Sequence, residues 1–250
     1  MPRYDFRTPR LFVDAPLGPN AGVPLDPGQM NYLVNVLRRR AGEPVLVFNG
    51  RDGEWQARLV MAGRRNAALA VSEQLRPQPR PGDLHYLFAP LKAARLDYMV
   101  QKAVEMGATR LQPVLTRHTQ AERVNIKRMR ANVVEAAEQC GILALPEVAE
   151  PVALAAALAA LAPSRLLVFC DEDAEVKDPV AALASRRRGP ESMALAVLIG
   201  PEGGFAEEER AALTRLPNAV RLSLGPRILR ADTAAVAALA LVGAVLGDGR

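Results

Sequence analysis

The sequence predicts an α/β protein in two parts. A small β-barrel with one helix spans residues 1–75, a linker spans 76–82, and an α/β unit with a mostly parallel sheet spans 83–250. Three observations carry this reading. Short apolar runs bounded by turn dipeptides fill the first 75 residues. Arg76-Pro-Gln-Pro-Arg-Pro-Gly82 then places three prolines in five positions, which continue neither strand nor helix. Beyond Gly82, apolar runs of strand length alternate with helical patterns, the grammar of parallel strands joined by helices.

In the first part the strand runs are Arg10–Val13, Val45–Phe48, Trp55–Val60 and Ala67–Val71. Asn49-Gly50, Asp52-Gly53 and Ala62-Gly63 supply turns between them. Leu33, Val34 and Leu37 give one helical patch over Met30–Arg38, and Trp55 is read as barrel core. In the second part Leu84–Ala89 and Leu111–Leu115 are strands around a helix from Lys92 to Met106. The apolar positions of that helix, Leu96, Met99, Val100, Ala103 and Val104, follow helical spacing, and Gly107 stops it. Helices follow at Ile126–Cys140 and Val152–Leu161. Leu166–Cys170, Ala194–Ile199 and Ala219–Leu224 read as buried parallel strands, with helices at Ala206–Leu216 and Asp232–Leu246.

The 250 residues suffice for one or two domains with a sizeable core, and 50% hydrophobic with 24% charged residues excludes a disordered chain. The net charge of +5 admits a nucleic-acid partner without requiring one. Cys140 and Cys170 lack CxxC spacing, which argues against a disulfide scaffold or a cysteine zinc site and for a reducing, cytoplasmic compartment. No metal is expected. No signal peptide is read at Met1, and the most apolar stretch, Ala234–Leu246, is too short for a bilayer span.

Four stretches offer chemistry. Ile199-Gly-Pro-Glu-Gly-Gly-Phe205 joins a strand to an acidic helix start, where glycines permit close backbone approach; alone it reads equally as a turn or a ligand site. Leu222-Ser-Leu-Gly-Pro-Arg-Ile-Leu-Arg230 leads from a strand to Asp232-Thr233, read as a helix N-cap, and offers backbone groups for a purine and guanidinium groups for an anion. Arg117 to Arg130 carries five Lys/Arg against one Glu, a phosphate-contacting stretch or a solvated face. Glu135 and Glu138 share a helix face and read as exposed acids. His85 is read as a core histidine. His118, beside Arg117, is a candidate for RNA contact before catalysis.

These motifs occur in a telling order: Lys92, Gln101-Lys-Ala-Val-Glu-Met-Gly107, Pro113-Val and Arg117, Glu135-Ala-Ala-Glu-Gln139, Gly200-Pro-Glu-Gly-Gly204, and Leu224-Gly-Pro-Arg-Ile-Leu-Arg230. Together they resemble the bacterial 16S ribosomal RNA uridine N3-methyltransferases of the knotted SPOUT class. Pro9-Arg-Leu-Phe12, Val36-Leu-Arg38 and Phe48-Asn-Gly50 fit that family's PUA-like barrel. The resemblance implies an α/β-knot (SPOUT) domain with a trefoil knot, S-adenosylmethionine as cofactor, a homodimer, and 16S rRNA of the small subunit as partner. It implies a cofactor site at Phe169, Ile199, Gly200, Glu202, Gly203, Leu222, Leu224, Gly225, Ile228 and Leu229. Arg230 is the implied stabiliser of the uridine anion, and Asp232 or water its proton acceptor. Arg7, Arg10, Arg38, Arg117, Arg123 and Lys127 form the implied RNA contacts.

Three positions depart from the family pattern. Ile142 replaces an arginine, which puts one RNA or cofactor-side contact in doubt; Asp232 replaces a glutamate and Asn31 a histidine. The alternatives are another SPOUT activity such as ribose 2′-O-methylation, a non-catalytic RNA-binding assembly factor, and a metabolic enzyme holding a nucleotide. Ser223-Leu-Gly225 argues against the first, and no phosphate motif supports the last. Residues 1–75 carry 10 Lys/Arg against 7 Asp/Glu, residues 76–150 carry 11 against 8, and residues 151–250 carry 11 against 12. The excess thus lies where RNA is expected, and the cofactor end is near neutral.

Overall fold

In the computed structural model, residues 7–61, 63, 66–121, 123–175, 178–187, 189 and 193–247 are described. The chain divides into two units, Met1–Arg80 with Ala137–Leu145, and Pro81–Ala136 with Pro146–Arg250.

The first unit opens with β1 (Arg10–Phe12) and β2 (Gly22–Pro24). A short helix α1 (Pro27–Met30) runs on as a π-helical stretch over Asn31–Val36. It starts before the predicted Met30 because Asp26 and Gln29 form a capping box, each side chain accepting from the other's backbone amide, with Pro27 in the first turn. Arg38 closes the helix in the left-handed conformation (φ 54°), with Arg39 N donating to Leu33 O at 2.9 Å. Three longer strands follow: β3 (Pro44–Phe48), β4 (Glu54–Met61) and β5 (Ala67–Arg76). The sheet order is β1-β3-β4-β5-β2, with β1 and β3 parallel and the other pairs antiparallel. Alternation along β4 turns Trp55, Ala57 and Leu59 onto a core with Leu33, Val45, Val47 and Leu69. The predicted core tryptophan is there, its Nε1 donating to Asp52 O at 2.7 Å.

Strand β5 runs to Arg76, a residue expected in the linker, because Glu54 on β4 binds the Arg76 guanidinium through both oxygens. The unit also recruits residues 137–145, which no local pattern announces. Ala137 and Leu143 pack with Phe48, and Ile142 joins them with Phe12 and Leu145. Ile142 therefore has an apolar role. Glu138 is likewise no idle acid, since its Oε1 accepts from Phe12 N at 2.8 Å.

In the second unit β6 (Leu84–Phe88), α2 (Ala93–Glu105), β7 (Arg110–Leu115) and α3 (Ile126–Cys140) fall where the periodicity places them. Two-residue strands β8 (Glu147–Val148) and β9 (Val152–Ala153) follow, and the latter shortens the predicted Val152–Leu161 helix to α4 (Leu154–Ala159). Next come β10 (Leu166–Cys170), α5 (Pro179–Ala184), β11 (Leu195–Ile199), α6 (Glu207–Thr214), β12 (Ala219–Leu222) and α7 (Ala231–Val245). Helix α5 is short and was not expected; Asp178 caps it by accepting from Ala181 N, and Pro179 opens it. The sheet order is β12-β10-β11-β6-β7-β8, with β9 also on β7, and every pair is parallel. Phe169, Leu198, Leu87 and Val114 form its core with Phe205 and Leu213. No helix among the described residues is long and apolar enough to cross a membrane.

Candidate functional site

Parallel pairing sets the site. Cys170 is in register with both Ile199 and Leu222, so β10, β11 and β12 end side by side. In open parallel sheets the crevice beyond the carboxyl ends of the strands is where ligands bind. Here a cleft of about 1110 Å3 lies at those ends. Its walls are the acidic segment after β10, the glycine loop Gly200–Phe205, and the loop Leu222–Arg230 with Ala231 and Ala234 of α7.

The glycine loop is shaped by close packing. A Cβ on Gly200 would lie 2.9 Å from the Phe205 ring, which itself meets Phe169 edge-to-face at 6.4 Å. Gly204 has φ +71°, a left-handed conformation that favours glycine, and a Cβ there would meet the carboxylate end of the exposed Glu172 side chain at 2.8 Å. Glu202 is ion-paired with Arg95 of α2. Glu209 in the first turn of α6 accepts from Ala206 N at 3.0 Å and from Arg117 N at 2.9 Å, which ties the loop after β7 to this one.

The acidic wall is neutralised from within. Asp171 is buried; Arg221 Nε donates to its Oδ2 at 3.0 Å, and Arg210 Nε stands 2.9 Å from the same oxygen as an ion pair. Arg210 Nη1 also lies 2.9 Å from Asp173 Oδ2. The guanidinium of Arg210 thus sits among the three carboxylates of Asp171, Glu172 and Asp173, whose oxygens lie within 4.8 Å of one another. Cys170 lines the cleft, but burial, and then the neighbouring Asp171 carboxylate, push its thiol up to about 12. A thiol of that acidity stays protonated and is no nucleophile at neutral pH.

This architecture has close counterparts among known proteins. The RNA methyltransferase domain family matches residues 78–243, and the RNA methyltransferase PUA domain family matches residues 25–72. The chain belongs to the RNA methyltransferase family. It is 34% identical to ribosomal RNA small subunit methyltransferase E of Synechocystis, over 90% of this chain and 74% of that protein. It is 29% identical to the Rickettsia conorii protein of the same name, over 93% and 94% of the two chains. Its fold superposes with a TM-score of 0.85 on the Neisseria gonorrhoeae ribosomal RNA small subunit methyltransferase E bound to S-adenosyl methionine, at 26% identity over 98% of this chain and all of that one. The fold is the expected one: an α/β-knot domain of the SPOUT class with a PUA-like barrel.

Nine of the ten expected cofactor residues line the cleft of this RNA methyltransferase: Ile199, Gly200, Glu202, Gly203, Leu222, Leu224, Gly225, Ile228 and Leu229. Phe169 does not. It is fully buried, one residue short of the strand end, and supports Phe205 from beneath. Arg230 lines the cleft and is exposed. Asp232 lies outside the lining and is not the helix cap, which is Arg230; Ala231 and Ala234 face the cleft, and a residue one position past Ala231 is turned about 100° away. Its Oδ1 accepts from Thr233 N at 2.9 Å. A proton acceptor at Asp232 therefore loses its geometric basis.

The expected RNA contacts divide. Arg7, Arg38, Arg117, Arg123 and Lys127 are exposed. Arg10 is buried, its Nε donating to Glu54 Oε1 at 2.8 Å, and is a structural residue with no face for RNA. Alternation along β1 gives Leu11 and Val13 to the barrel core and leaves Arg10 on the opposite, covered face, where Glu54 makes its charge tolerable. His85 is half-buried on β6; burial, and then the charge of Arg165, hold its pKa below the ordinary histidine value, consistent with a neutral structural ring. The residues sequence reasoning missed are Asp171, Glu172, Arg210 and Arg221. The one available signal was Asp171-Glu-Asp-Ala-Glu175 standing directly after a strand.

Proposed function

We propose that this protein transfers a methyl group from S-adenosylmethionine to N3 of a uridine in 16S ribosomal RNA of the small subunit. The observation that carries the reading is the cleft at the joined ends of β10, β11 and β12, walled by the two loops that the sequence singled out. Its residues fit that cofactor. The volume is ample for a nucleoside-sized ligand, and the side chains at Leu224, Ile228 and Leu229 are apolar, so backbone amides and carbonyls are the specific readers of an adenine. Gly200 and Gly225 permit close approach. When bound, the cofactor supplies an electrophilic methyl on a sulfonium.

The remaining chemistry belongs to the chain. The glycine loop and the Leu222–Arg230 loop hold the reacting groups in line, and such alignment supplies much of the rate. Uridine N3 lies between two carbonyls and gives up its proton to water before it attacks, so the ring carries a negative charge that methyl transfer then discharges. Arg230, exposed on the cleft wall, is positioned to stabilise that charge. Base pairing would bury N3, so the uridine enters unpaired or extruded. The PUA-like barrel and the basic loop after β7 contact RNA through Arg7, Arg38, Arg117, Arg123 and Lys127. Arg38 is exposed at the end of the barrel's helix, which leaves its guanidinium available to a phosphate. The reaction runs in the cytoplasm, where ribosomal subunits are made.

The active form is a homodimer. Helix α7 contains one charged residue, Asp232, and beyond its buried face it leaves Val236, Ala237, Ala240, Leu241 and Ala244 partly or fully exposed at helical spacing. An uncharged helix face of this kind suits a second copy of the chain. Light scattering on the eluting protein tests the dimer, and a monomer at micromolar concentration overturns it.

Nucleoside mass spectrometry tests the reaction. Small-subunit RNA lacking the modification, incubated with the protein and S-adenosylmethionine, is expected to gain N3-methyluridine, and Arg230→Ala to lose most of that gain. A ribose-methylated product would move the protein to another SPOUT activity.

A further inference from the structure

The loop after β7 does more than carry positive charge. Thr116 and Thr119 brace it: Thr116 N donates to Thr119 Oγ1 at 2.9 Å, Thr119 N donates to Thr116 O at 3.2 Å, and the two hydroxyls lie 2.9 Å apart. Between them, His118 is held against the glycine loop of the cleft. Its Nδ1 lies 3.1 Å from Gly204 O, and its Cβ is 3.5 Å from where a Cβ of Gly203 would stand. A carbonyl only accepts, so Nδ1 carries the proton and donates. One residue earlier, Arg117 N donates to Glu209, whose other oxygen caps α6. The two loops are thus pinned at both ends of the glycine turn.

We infer that His118 is a positioning residue for the cofactor: its Nδ1–H holds the Gly204 carbonyl and thereby fixes the left-handed conformation of Gly204 on the wall of the cleft. The reason for a brace is local. Gly204 at φ +71° is free to leave that conformation, since glycine populates many others, and within its own loop its amide is held only by Pro201 O, at 3.0 Å. A donor from outside the loop restricts it before the ligand arrives, and pre-organisation of this kind appears in binding affinity. His118 does not line the cleft, so it acts through Gly204 and not by touching the reacting atoms. This inference rests on the reading of the cleft as the S-adenosylmethionine site.

Asparagine and glutamine separate the roles of the two ring nitrogens. An asparagine amide reaches the position of Nδ1, whereas a glutamine amide reaches that of Nε2. Calorimetry with S-adenosylmethionine on the full chain is the measurement, with thermal unfolding of each variant beside it. His118→Ala and His118→Gln are expected to weaken binding about fivefold, the worth of one partly exposed hydrogen bond. His118→Asn is expected to stay within about twofold of the parent, because it keeps the donor to Gly204. In turnover the loss is expected in KM for the cofactor with kcat retained. Unchanged binding by His118→Ala, or an asparagine variant as weak as the alanine one, overturns the inference. If His118→Ala does not fold, the asparagine–glutamine pair decides alone. Gly200→Val, which drives a side chain into the Phe205 ring, is the control on the cleft itself. If it binds cofactor normally, the cleft reading fails. If it abolishes binding while His118→Ala does not weaken it, only the role of His118 fails.

Discussion

Two buried carboxylates each hold a pair of arginines, one in each unit, and they serve different ends. In the first unit Glu54 binds Arg10 at 2.8 Å and Arg76 at 2.7 Å, with side-chain exposures of 4% for Glu54, 4% for Arg10 and 18% for Arg76. Arg76 also donates to Gly141 O at 3.0 Å, so this cluster joins β1, β4 and β5 to the recruited segment 137–145. In the second unit Asp171 is wholly buried, but its partners Arg210 and Arg221 are 25% and 31% exposed and brace the segment after β10 that lines the cleft. The same chemistry closes a barrel in one place and builds a binding wall in the other. An arginine count cannot tell the two apart, because burial decides which charge remains available to a ligand.

The largest effect is expected for Glu54→Ala, which leaves the buried Arg10 and the largely buried Arg76 without their carboxylate: removing one partner of a buried pair costs about 3–5 kcal/mol, read from the urea midpoint. Cofactor affinity of the fraction that stays folded should be unchanged, and a loss there would erase the distinction between the clusters. Asp171→Ala comes next at about 2–3 kcal/mol, smaller because its arginines turn to water, and it should also weaken S-adenosylmethionine binding in calorimetry. A stable variant with normal affinity would return the acidic wall to mere surface.

The pH dependence of the first cluster follows from Glu54. Burial opposes its ionisation, yet the hydrogen bonds from Arg76 and then Arg10 prevail and hold its pKa below the ordinary glutamate value. A lowered folded pKa stabilises fully above the unfolded value, about 4.3, and that stability is lost as pH falls through the folded one. The urea midpoints of the parent and of Glu54→Gln should therefore differ most at neutral pH and converge in acid. A gap that widened on acidification would refute the assignment. The smallest stability effect is expected for Arg123→Glu, within about 0.5 kcal/mol as for an exposed position. It should weaken RNA binding and flatten its salt dependence. Arg10→Glu should do the reverse, unfolding the barrel with no specific loss of RNA contact.

Much of the molecule was legible locally. The helical spacing of Leu96, Met99, Val100, Ala103 and Val104 gave α2, and the apolar runs at 166–170 and 194–199 gave β10 and β11 within a residue. Elements of two or three residues, β2, β8 and β9, carry too few positions for a period to register. In the site, the two glycine-bearing loops were legible because turn chemistry is written in consecutive residues. Phe169 was misplaced by a single position along β10, which is enough in a strand to turn a side chain from the cleft into the core.

The sequence by itself determined the α/β grammar, the loops at the ends of β11 and β12, and the family. Periodicity, capping and turn residues act over a few neighbours, so they can be read without knowing what lies across the sheet. Only the tertiary structure decided that Cys170, Ile199 and Leu222 end in one register, that Arg10 faces Glu54, and that His118 reaches Gly204 from 86 residues away. Those facts depend on which strands pair and in what register, and long-range pairing leaves no local mark on the residues it brings together.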